Sequence, residues 1–323
     1  MKKELELTFL IIALVTLLAI MGCNNTSKTF AYVVVDVDGI HIIDISKPTK
    51  PVEVGFLDTP GEAHGVYVSS GYAYIADGYD GLRIIDISDP SALLEVGFFD
   101  TTDIALGVYV SGDYAYLVDF GDGFRIIDIT TPSAPIEVGF YDTRDFARSV
   151  YVSGNYAYVA EDAAGLRIID ISDPSTPYEV GSFFIGSRAY EVYISGDHAY
   201  LANGMAGLRI IDISKPSTPV EVGFLDTPGE AHGVYVSGGY AYVADWDAGL
   251  RIIDVSKPST PLEVGFLDTP GEARRVNVSG VYAYVADDGE GLRIINVSKP
   301  SAPTEVGSFD TQGAAFDVFV EPF

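Results

Sequence analysis

Gly81-Leu82-Arg83-Ile84-Ile85-Asp86 is one copy of a hexapeptide that returns along this chain every 42 residues. The seven copies begin at Gly39, Gly81, Gly123, Gly165, Gly207, Gly249 and Gly291, with no insertion or deletion between them. A repeat of about 40 to 45 residues built from short strand-like runs is typical of β-propeller blades, each a four-stranded sheet. The spacing therefore predicts an all-β fold with one blade per repeat.

Residues 64–102 illustrate how one repeat forms one blade. Four apolar runs, Val66–Val68, Tyr72–Ala76, Leu82–Ile87 and Leu94–Phe99, are separated by turn residues and predict strands A, B, C and D from the channel outward. The segment Ser88-Asp89-Pro90 ends strand C, because proline cannot donate a hydrogen bond to a central ladder.

The two ends of the chain share one blade. Ala31–Val35, His41–Ile45 and Val52–Leu57 match strands B, C and D, and the missing strand A stands at Phe316–Val320. Pairing the last strand with the first blade removes the two sheet edges that an open ring would expose. We therefore expect residues 30–323 to form one monomeric, seven-bladed propeller.

Residues 1–22 predict a signal peptide, and residues 23–29 a short tether. Lys2 and Lys3 precede the apolar stretch Leu7–Met21, which ends in Ile20-Met21-Gly22-Cys23. This ending resembles the lipobox of bacterial and some archaeal lipoproteins, in which the cysteine is lipidated. The alternative is an uncleaved anchor helix, although 15 apolar residues are short for a bilayer span. Both interpretations place the propeller outside the cytoplasmic membrane, at the cell surface or in the periplasm.

Charge and cysteine content restrict the partners. The formal net charge is −27, and Cys23 is the only cysteine, so no intramolecular disulfide can form. Such acidity argues against nucleic acid or an anionic membrane surface as a direct partner, which leaves the lipid anchor as the membrane contact. Acidity also promotes solubility, and it would suit a cationic partner or metal ions.

The repeat resembles a known family. Residues 207–214 read Gly-Leu-Arg-Ile-Ile-Asp-Ile-Ser, and a Pro-Ser-x-Pro and a Glu-Val-Gly segment follow. This pattern is similar to the LVIVD-repeat family of propeller-like bacterial and archaeal surface proteins, and the resemblance covers all seven repeats. It implies an extracytoplasmic location and interaction roles, but no particular activity. The first copy departs from the others, with His41 in place of arginine.

Two repeated positions predict scaffold roles. The residue that ends strand C is expected to accept backbone N–H bonds in the C–D turn. It is Asp44, Asp86, Asp128, Asp170, Asp212, Asp254 or Asn296. The strand C arginines are expected to pair with carboxylates on neighbouring strands. They are Arg83, Arg125, Arg167, Arg209, Arg251 and Arg293.

The repeats differ mainly in the D–A connections and the B–C tips, which propeller geometry places together on one face, the top face. Variation on one face is expected of a scaffold that carries a site there, although neutral drift would look similar. The candidate binding residues are His64, Arg148, Tyr190, Glu191, His232, Trp246, Arg274, Arg275, Phe316 and Asp317.

No motif of catalysis or cofactor binding is present, and no cofactor is expected. Glu191 with His232, or Asp317 with His64, would nevertheless suit acid–base chemistry across adjacent blades. Acidic tips at Asp77–Asp80, Asp119–Asp122 and Asp245–Asp247 suggest calcium, although their spacing does not match an EF-hand. The two histidines lie in near-identical repeats, so duplication explains them without a metal.

Our leading hypothesis is a lipid-anchored, non-enzymatic module that binds a cell-surface protein or glycan through its top face. One alternative is an enzyme, a lyase or hydrolase, with its site at the channel mouth. Another is a structural envelope protein that packs into arrays. The sequence leans towards binding without deciding whether the protein is an enzyme.

Overall fold

The computed structural model describes residues 28–143 and 145–321. The predicted signal peptide, the lipidation site Cys23 and most of the tether lie outside these residues. Within the described residues, no helix has the length and apolar character needed to cross a membrane.

Twenty-eight β-strands account for the regular structure of the described residues. In chain order they are β1 (Phe30–Val35), β2 (Gly39–Asp44), β3 (Val52–Leu57), β4 (Gly65–Ser69), β5 (Tyr72–Ala76), β6 (Leu82–Asp86), β7 (Leu94–Phe99), β8 (Ala105–Ser111), β9 (Tyr114–Asp119), β10 (Gly123–Asp128), β11 (Ile136–Tyr141), β12 (Ala147–Ser153), β13 (Tyr156–Glu161) and β14 (Gly165–Asp170). The others are β15 (Tyr178–Phe183), β16 (Glu191–Ser195), β17 (His198–Ala202), β18 (Leu208–Asp212), β19 (Val220–Leu225), β20 (Gly233–Ser237), β21 (Tyr240–Ala244), β22 (Leu250–Asp254), β23 (Leu262–Leu267), β24 (Arg275–Ser279), β25 (Tyr282–Ala286), β26 (Leu292–Asn296), β27 (Thr304–Phe309) and β28 (Ala315–Val320).

The strands form seven antiparallel four-stranded sheets, which are the blades. Blade 1 has the order β28-β1-β2-β3, so the last strand completes the first sheet, with Val33 opposite Val318. Blades 2 to 7 each take four consecutive strands, from β4–β7 to β24–β27. The predicted seven-bladed fold and its closure are confirmed.

Each blade packs its apolar faces against its neighbours. Strands B and C are buried along almost their whole length, and strand D is mostly half-buried or exposed. The core between blades 1 and 2, for example, joins Val34 and Ile42 with Ile75 and Ile85. Since both faces of each inner strand are covered, both faces of these strands carry apolar residues, interrupted in strand C by the arginine or by His41.

A glycine in strand D sets the spacing between blades. A Cβ on Gly307 would lie 2.1 Å from the carbonyl oxygen of Pro48, in the C–D turn of blade 1. The six other strand D glycines meet the proline of the following blade at 1.8 to 2.2 Å in the same way. A side chain does not fit there, so glycine allows the outer strand to approach the next blade.

The two scaffold predictions are confirmed by the contacts. The Ser88 backbone N–H donates to Asp86 Oδ1 at 2.9 Å, and the equivalent bond occurs in all seven C–D turns. Arg83 lies 3.6 Å from Asp77 and 3.7 Å from Glu95, with its guanidinium 4.8 Å from the ring centre of Phe98. The repeated arginine therefore ties strand C to the B–C tip and to strand D.

Candidate binding site at the channel mouth

Seven side chains, one from each blade, surround the top of the channel. We call them the mouth ring: His64, Leu106, Arg148, Tyr190, His232, Arg274 and Phe316. Each comes from the same position of the repeat, beside the first residues of strand A, and with Arg275 they line a cavity of about 230 Å³. All of them except Leu106 are candidate residues from the sequence.

The mouth ring is stacked over most of its circumference. Distances here join ring centres, or an arginine Cζ and a ring centre. In order around the mouth, Arg148 lies 4.8 Å from Tyr190, Tyr190 lies 4.0 Å from His232, and His232 lies 4.2 Å from Trp246. The stack continues with Arg274 at 4.7 Å from Trp246 and 4.3 Å from Phe316, and it ends with His64 at 5.2 Å from Phe316. Cations over aromatic faces attract the ring quadrupole, so each arginine is held between its neighbours. Leu106 makes no such contact, and the stack is broken there.

Carboxylates on the B–C tips fix the two stacked arginines. Arg148 Nε donates to Asp162 Oδ1 at 2.6 Å, and Arg274 donates to Asp288 Oδ2 at 2.9 Å. The Tyr190 hydroxyl donates to Glu230 at 2.8 Å. The mouth therefore presents preorganised aromatic and guanidinium groups.

The two histidines of the mouth ring are neutral at physiological pH. Burial, and then the charges of Arg274 and Arg275, lower the pKa of His64 to about 4 and that of His232 to about 3. The carboxylates nearest to them are Glu62 and Glu230, each at 3.9 Å. The acid–base pairs with Asp317 and Glu191 considered from the sequence do not form within 4 Å in the described residues.

The residue after each mouth-ring position points into the channel and forms a second layer. We call it the inner ring: Gly65, Gly107, Ser149, Glu191, Gly233, Arg275 and Asp317. Strand A is the innermost strand of each blade, so half of its N–H groups face the channel without a ladder partner. Three inner-ring residues accept such an N–H from the next blade: Asp317 from Val66 at 3.0 Å, Ser149 from Val192 at 3.1 Å, and Glu191 from Val234 at 2.6 Å.

Arg275 hydrogen-bonds to carbonyl groups of three adjacent blades, one of which is its own. Its guanidinium donates to the carbonyl oxygens of His232 at 2.6 Å, Arg274 at 3.2 Å and Tyr190 at 3.5 Å, and its Nε lies 3.5 Å from Glu191 Oε1. These contacts use its donors within the protein. The structure thus places Arg275 below the surface that the other candidates form.

Glu191 and Asp317 are half-buried carboxylates with raised pKa values. Burial raises the pKa of Glu191 to about 7, the Arg275 charge opposes this, and Asp317 adds to it. Burial also raises the pKa of Asp317, against the lowering effects of Arg275 and two backbone N–H groups. Near neutral pH the Glu191 carboxyl is therefore only partly ionised.

A tyrosine girdle lies below the inner ring. It consists of Tyr67, Tyr109, Tyr151, Tyr193 and Tyr235, with Asn277 and Phe319 completing the circle. Consecutive tyrosine rings lie 4.7 to 5.1 Å apart between centres. Between the mouth and this girdle is a cavity of about 310 Å³. We call it the channel cavity.

The acidic B–C tips differ from the cluster of exposed oxygen ligands that calcium binding would need. Asp77, Asp119 and Asp245 are fully buried. Asp77 accepts from the Thr59 hydroxyl at 2.6 Å and from the Gly61 N–H at 3.0 Å, so its oxygens serve the scaffold. No group of three or more possible metal ligands occurs in residues 28–143 and 145–321. Calcium binding stays an untested prediction.

The candidate residues predicted from the sequence do not include Leu106, the glycines of the inner ring or the tyrosine girdle. The sequence does contain a signal for these residues in strand A. When the repeats are aligned residue by residue along this strand, one position is variable (the mouth ring), the next is mixed (the inner ring), and a third is nearly always tyrosine.

Comparisons with known proteins support the fold and the repeat. A family model described as LVIVD repeat matches residues 26–59, 60–101, 104–143, 146–184, 186–227, 228–269 and 270–311. No curated protein matches the sequence at a significant level.

Solved structures are similar in fold at low identity. The crystal structure of a functionally unknown protein from Desulfotomaculum acetoxidans DSM 771 is 14% identical, with a TM-score of 0.76 over 91% of this chain and 99% of that chain. The computationally designed protein Ika8 is 9% identical, with a TM-score of 0.63 over 80% and 78% of the chains. The β-propeller domain of Cps50 (Swd1) from Myceliophteria thermophila is 13% identical, with a TM-score of 0.61 over 78% and 88%.

Proposed function

This chain belongs to the LVIVD repeat family, and we propose that it is a lipid-anchored, extracytoplasmic binding module that captures a cell-surface protein or glycan at its mouth ring. The observation that carries the proposal is the contrast within the repeat. Turns and outer strands recur almost unchanged, while the mouth ring has five residue types at its seven positions.

The composition and order of the mouth ring support binding. Tyrosine, tryptophan and arginine are the residues most enriched at interface hot spots. Stacking and the bonds of Arg148 to Asp162 and Arg274 to Asp288 hold them in place before a partner arrives. Side chains that are already ordered lose less conformational entropy on binding, which favours affinity.

Binding is favoured over catalysis for a geometric reason. General acid–base chemistry needs several groups within about 3 Å of one reacting atom. Glu191 and Asp317 instead accept backbone N–H groups of the neighbouring blades, and in the described residues neither forms an ion pair with a mouth histidine. The acid–base pairs considered for a lyase or hydrolase are therefore not brought together, which favours binding.

The anchor and the orientation belong to the same proposal. Asn24 to Thr29 could span about 20 Å when extended, and the chain then enters β1 at Phe30, which pairs with Asp44 at the C–D turn end of blade 1. A lipid on Cys23 would therefore hold the turn face towards the membrane and the mouth ring away from it. Replacing Cys23→Ala should move the protein from the membrane to the soluble fraction; unchanged fractionation would contradict the anchor.

Affinity capture from native envelopes tests the binding role. The mouth variant carries Arg148→Ala and Arg274→Ala; Arg275 is left intact because it clasps three blades. The control variant carries Lys215→Ala and Lys257→Ala, which removes two positive charges from exposed C–D turns. A partner retained by wild type and control but lost by the mouth variant would support the proposal. Equal capture by both variants would contradict it.

A further inference from the structure

Three inner-ring residues are glycines without a side-chain acceptor, and two of them, Gly65 and Gly107, lie on neighbouring blades and line the channel cavity. Val108 and Val150 stand at the same ladder register as Val66, so their N–H groups also face the channel. The residues that would accept them are Gly65 and Gly107, which have no side chain. In the described part of the chain, no side-chain acceptor meets either N–H group.

The mouth ring is interrupted directly above Gly65 and Gly107. Leu106 takes no part in the stack, and it lies between His64 and Arg148 on the adjacent blades. These three are the only mouth-ring residues among the described residues that line the channel cavity. The cavity therefore opens at blades 2 to 4, on the side where Gly65 and Gly107 leave space.

The rest of the cavity wall carries Glu191, Arg275 and Asp317. A ligand there meets both unpaired backbone donors and carboxylate acceptors. An anion would face Asp317, and a cation would face Arg275. A hydroxyl group both donates and accepts hydrogen bonds, so a neutral molecule with several hydroxyls matches both.

We propose that the channel cavity binds one neutral sugar ring, which enters past Leu106 and hydrogen-bonds to the N–H groups of Val108 and Val150. The volume of about 310 Å³ lies at the lower end of the range for small-molecule sites, about 300 to 1,000 Å³. The tyrosine girdle supplies an aromatic floor for the C–H face of the sugar. The site does not depend on capture of a larger partner by the mouth ring.

The test uses free glucose, galactose and mannose as probes, with glucuronate and glucosamine as charged comparators. Gly107→Ser places at blade 3 the acceptor that Ser149 provides at blade 4. Its new Cβ would meet backbone and side-chain atoms no closer than 3.2 Å. The control is Gly289→Ser, which adds the same side chain at an exposed B–C tip with no atom within 4 Å of its Cβ, and Gly289 is not among the described residues that line the cavity.

Saturation-transfer NMR and calorimetry should detect at least one neutral hexose on the wild type and on Gly289→Ser. Binding should weaken about tenfold or more in Gly107→Ser, because the side chain competes for the Val150 N–H and occupies space. A second variant, Leu106→Trp, should block access with no change in the inner ring. Thermal unfolding of each variant establishes that it is folded.

Three results would overturn the proposal. The wild type binds no neutral hexose, or both Gly107→Ser and Leu106→Trp bind the hexose as tightly as the wild type does. The third is that both charged comparators bind more tightly than any neutral sugar. The variant Trp246→Ala with Arg274→Ala separates the two sites, because neither residue lines the channel cavity among the described residues. It should lose partner capture and keep hexose binding. Sugar binding with no partner captured by the wild type would refute the mouth-ring function alone.

Discussion

Glu191→Gln should change the pH dependence of stability. The folded-state pKa of Glu191 is about 7, against an ordinary value of 4.5. The folded protein therefore holds this proton more tightly than the unfolded chain does. Its stability is greatest below the unfolded value, falls as pH rises from about 4.5 to about 7, and levels off above that. Glutamine still accepts the Val234 N–H but cannot ionise.

The magnitude follows from the gap between the two pKa values. Full ionisation of Glu191 costs about 3 kcal/mol of folding free energy, since one pKa unit corresponds to about 1.4 kcal/mol. Between pH 5 and pH 8 the wild type should lose about 2–3 kcal/mol relative to the glutamine variant. Asp317 and Arg275 face the same carboxyl group, and both proteins contain them, so the difference isolates Glu191.

Denaturant unfolding at pH 5, 6, 7 and 8 measures this difference. Glu62→Gln corrects for the loss of one negative charge, because Glu62 is an exposed carboxylate on the same face. Stability curves that run parallel for wild type and Glu191→Gln would refute the argument that burial outweighs the Arg275 charge.

Three further predictions concern the scaffold and the mouth. Gly307→Ala should lower stability by about 1–3 kcal/mol in thermal unfolding, because its Cβ would lie 2.1 Å from the Pro48 oxygen. Gly289→Ala should have little effect, because no atom lies within 4 Å of its Cβ. Equal losses of stability in the two variants would contradict this account of blade spacing. Arg167→Met should lower the free energy of unfolding by about 3–5 kcal/mol, since it leaves the buried Glu161 carboxylate unpaired. Arg209→Met should lower it less, because the carboxylates that Arg209 contacts are partly or largely exposed. Similar losses for the two variants in denaturant unfolding would count against the buried pair. The imidazole of His232 should stay neutral from pH 8 down to about pH 4 in NMR titrations, in keeping with its pKa of about 3; a transition near pH 6.5 would be inconsistent with its burial beside the arginines.

Much of the fold could be derived from the sequence because each blade depends on local signals. The constant offset of 42 residues gives the number of blades, and the chain starts within a repeat, which requires the last strand to complete the first sheet. Turn residues such as Asp86 and Pro90 determine the backbone conformation of residues only a few positions away in the sequence. The mouth-ring candidates also followed from the sequence, since they are the positions at which the repeats differ.

The chemistry of the channel depended on the tertiary structure. Glu191 bonds to Val234, 43 residues away, and Asp317 bonds to Val66, 251 residues away, because closing the ring brings consecutive A strands side by side. The sequence suggested both carboxylates as catalytic partners of histidines, whereas the ring uses them to satisfy backbone N–H groups. Leu106 is a variable apolar residue in the sequence, and only the stacked ring around it makes it an opening. A repeat thus determines each blade through short-range contacts, while the identity of neighbours around the channel follows from the curvature of the closed ring.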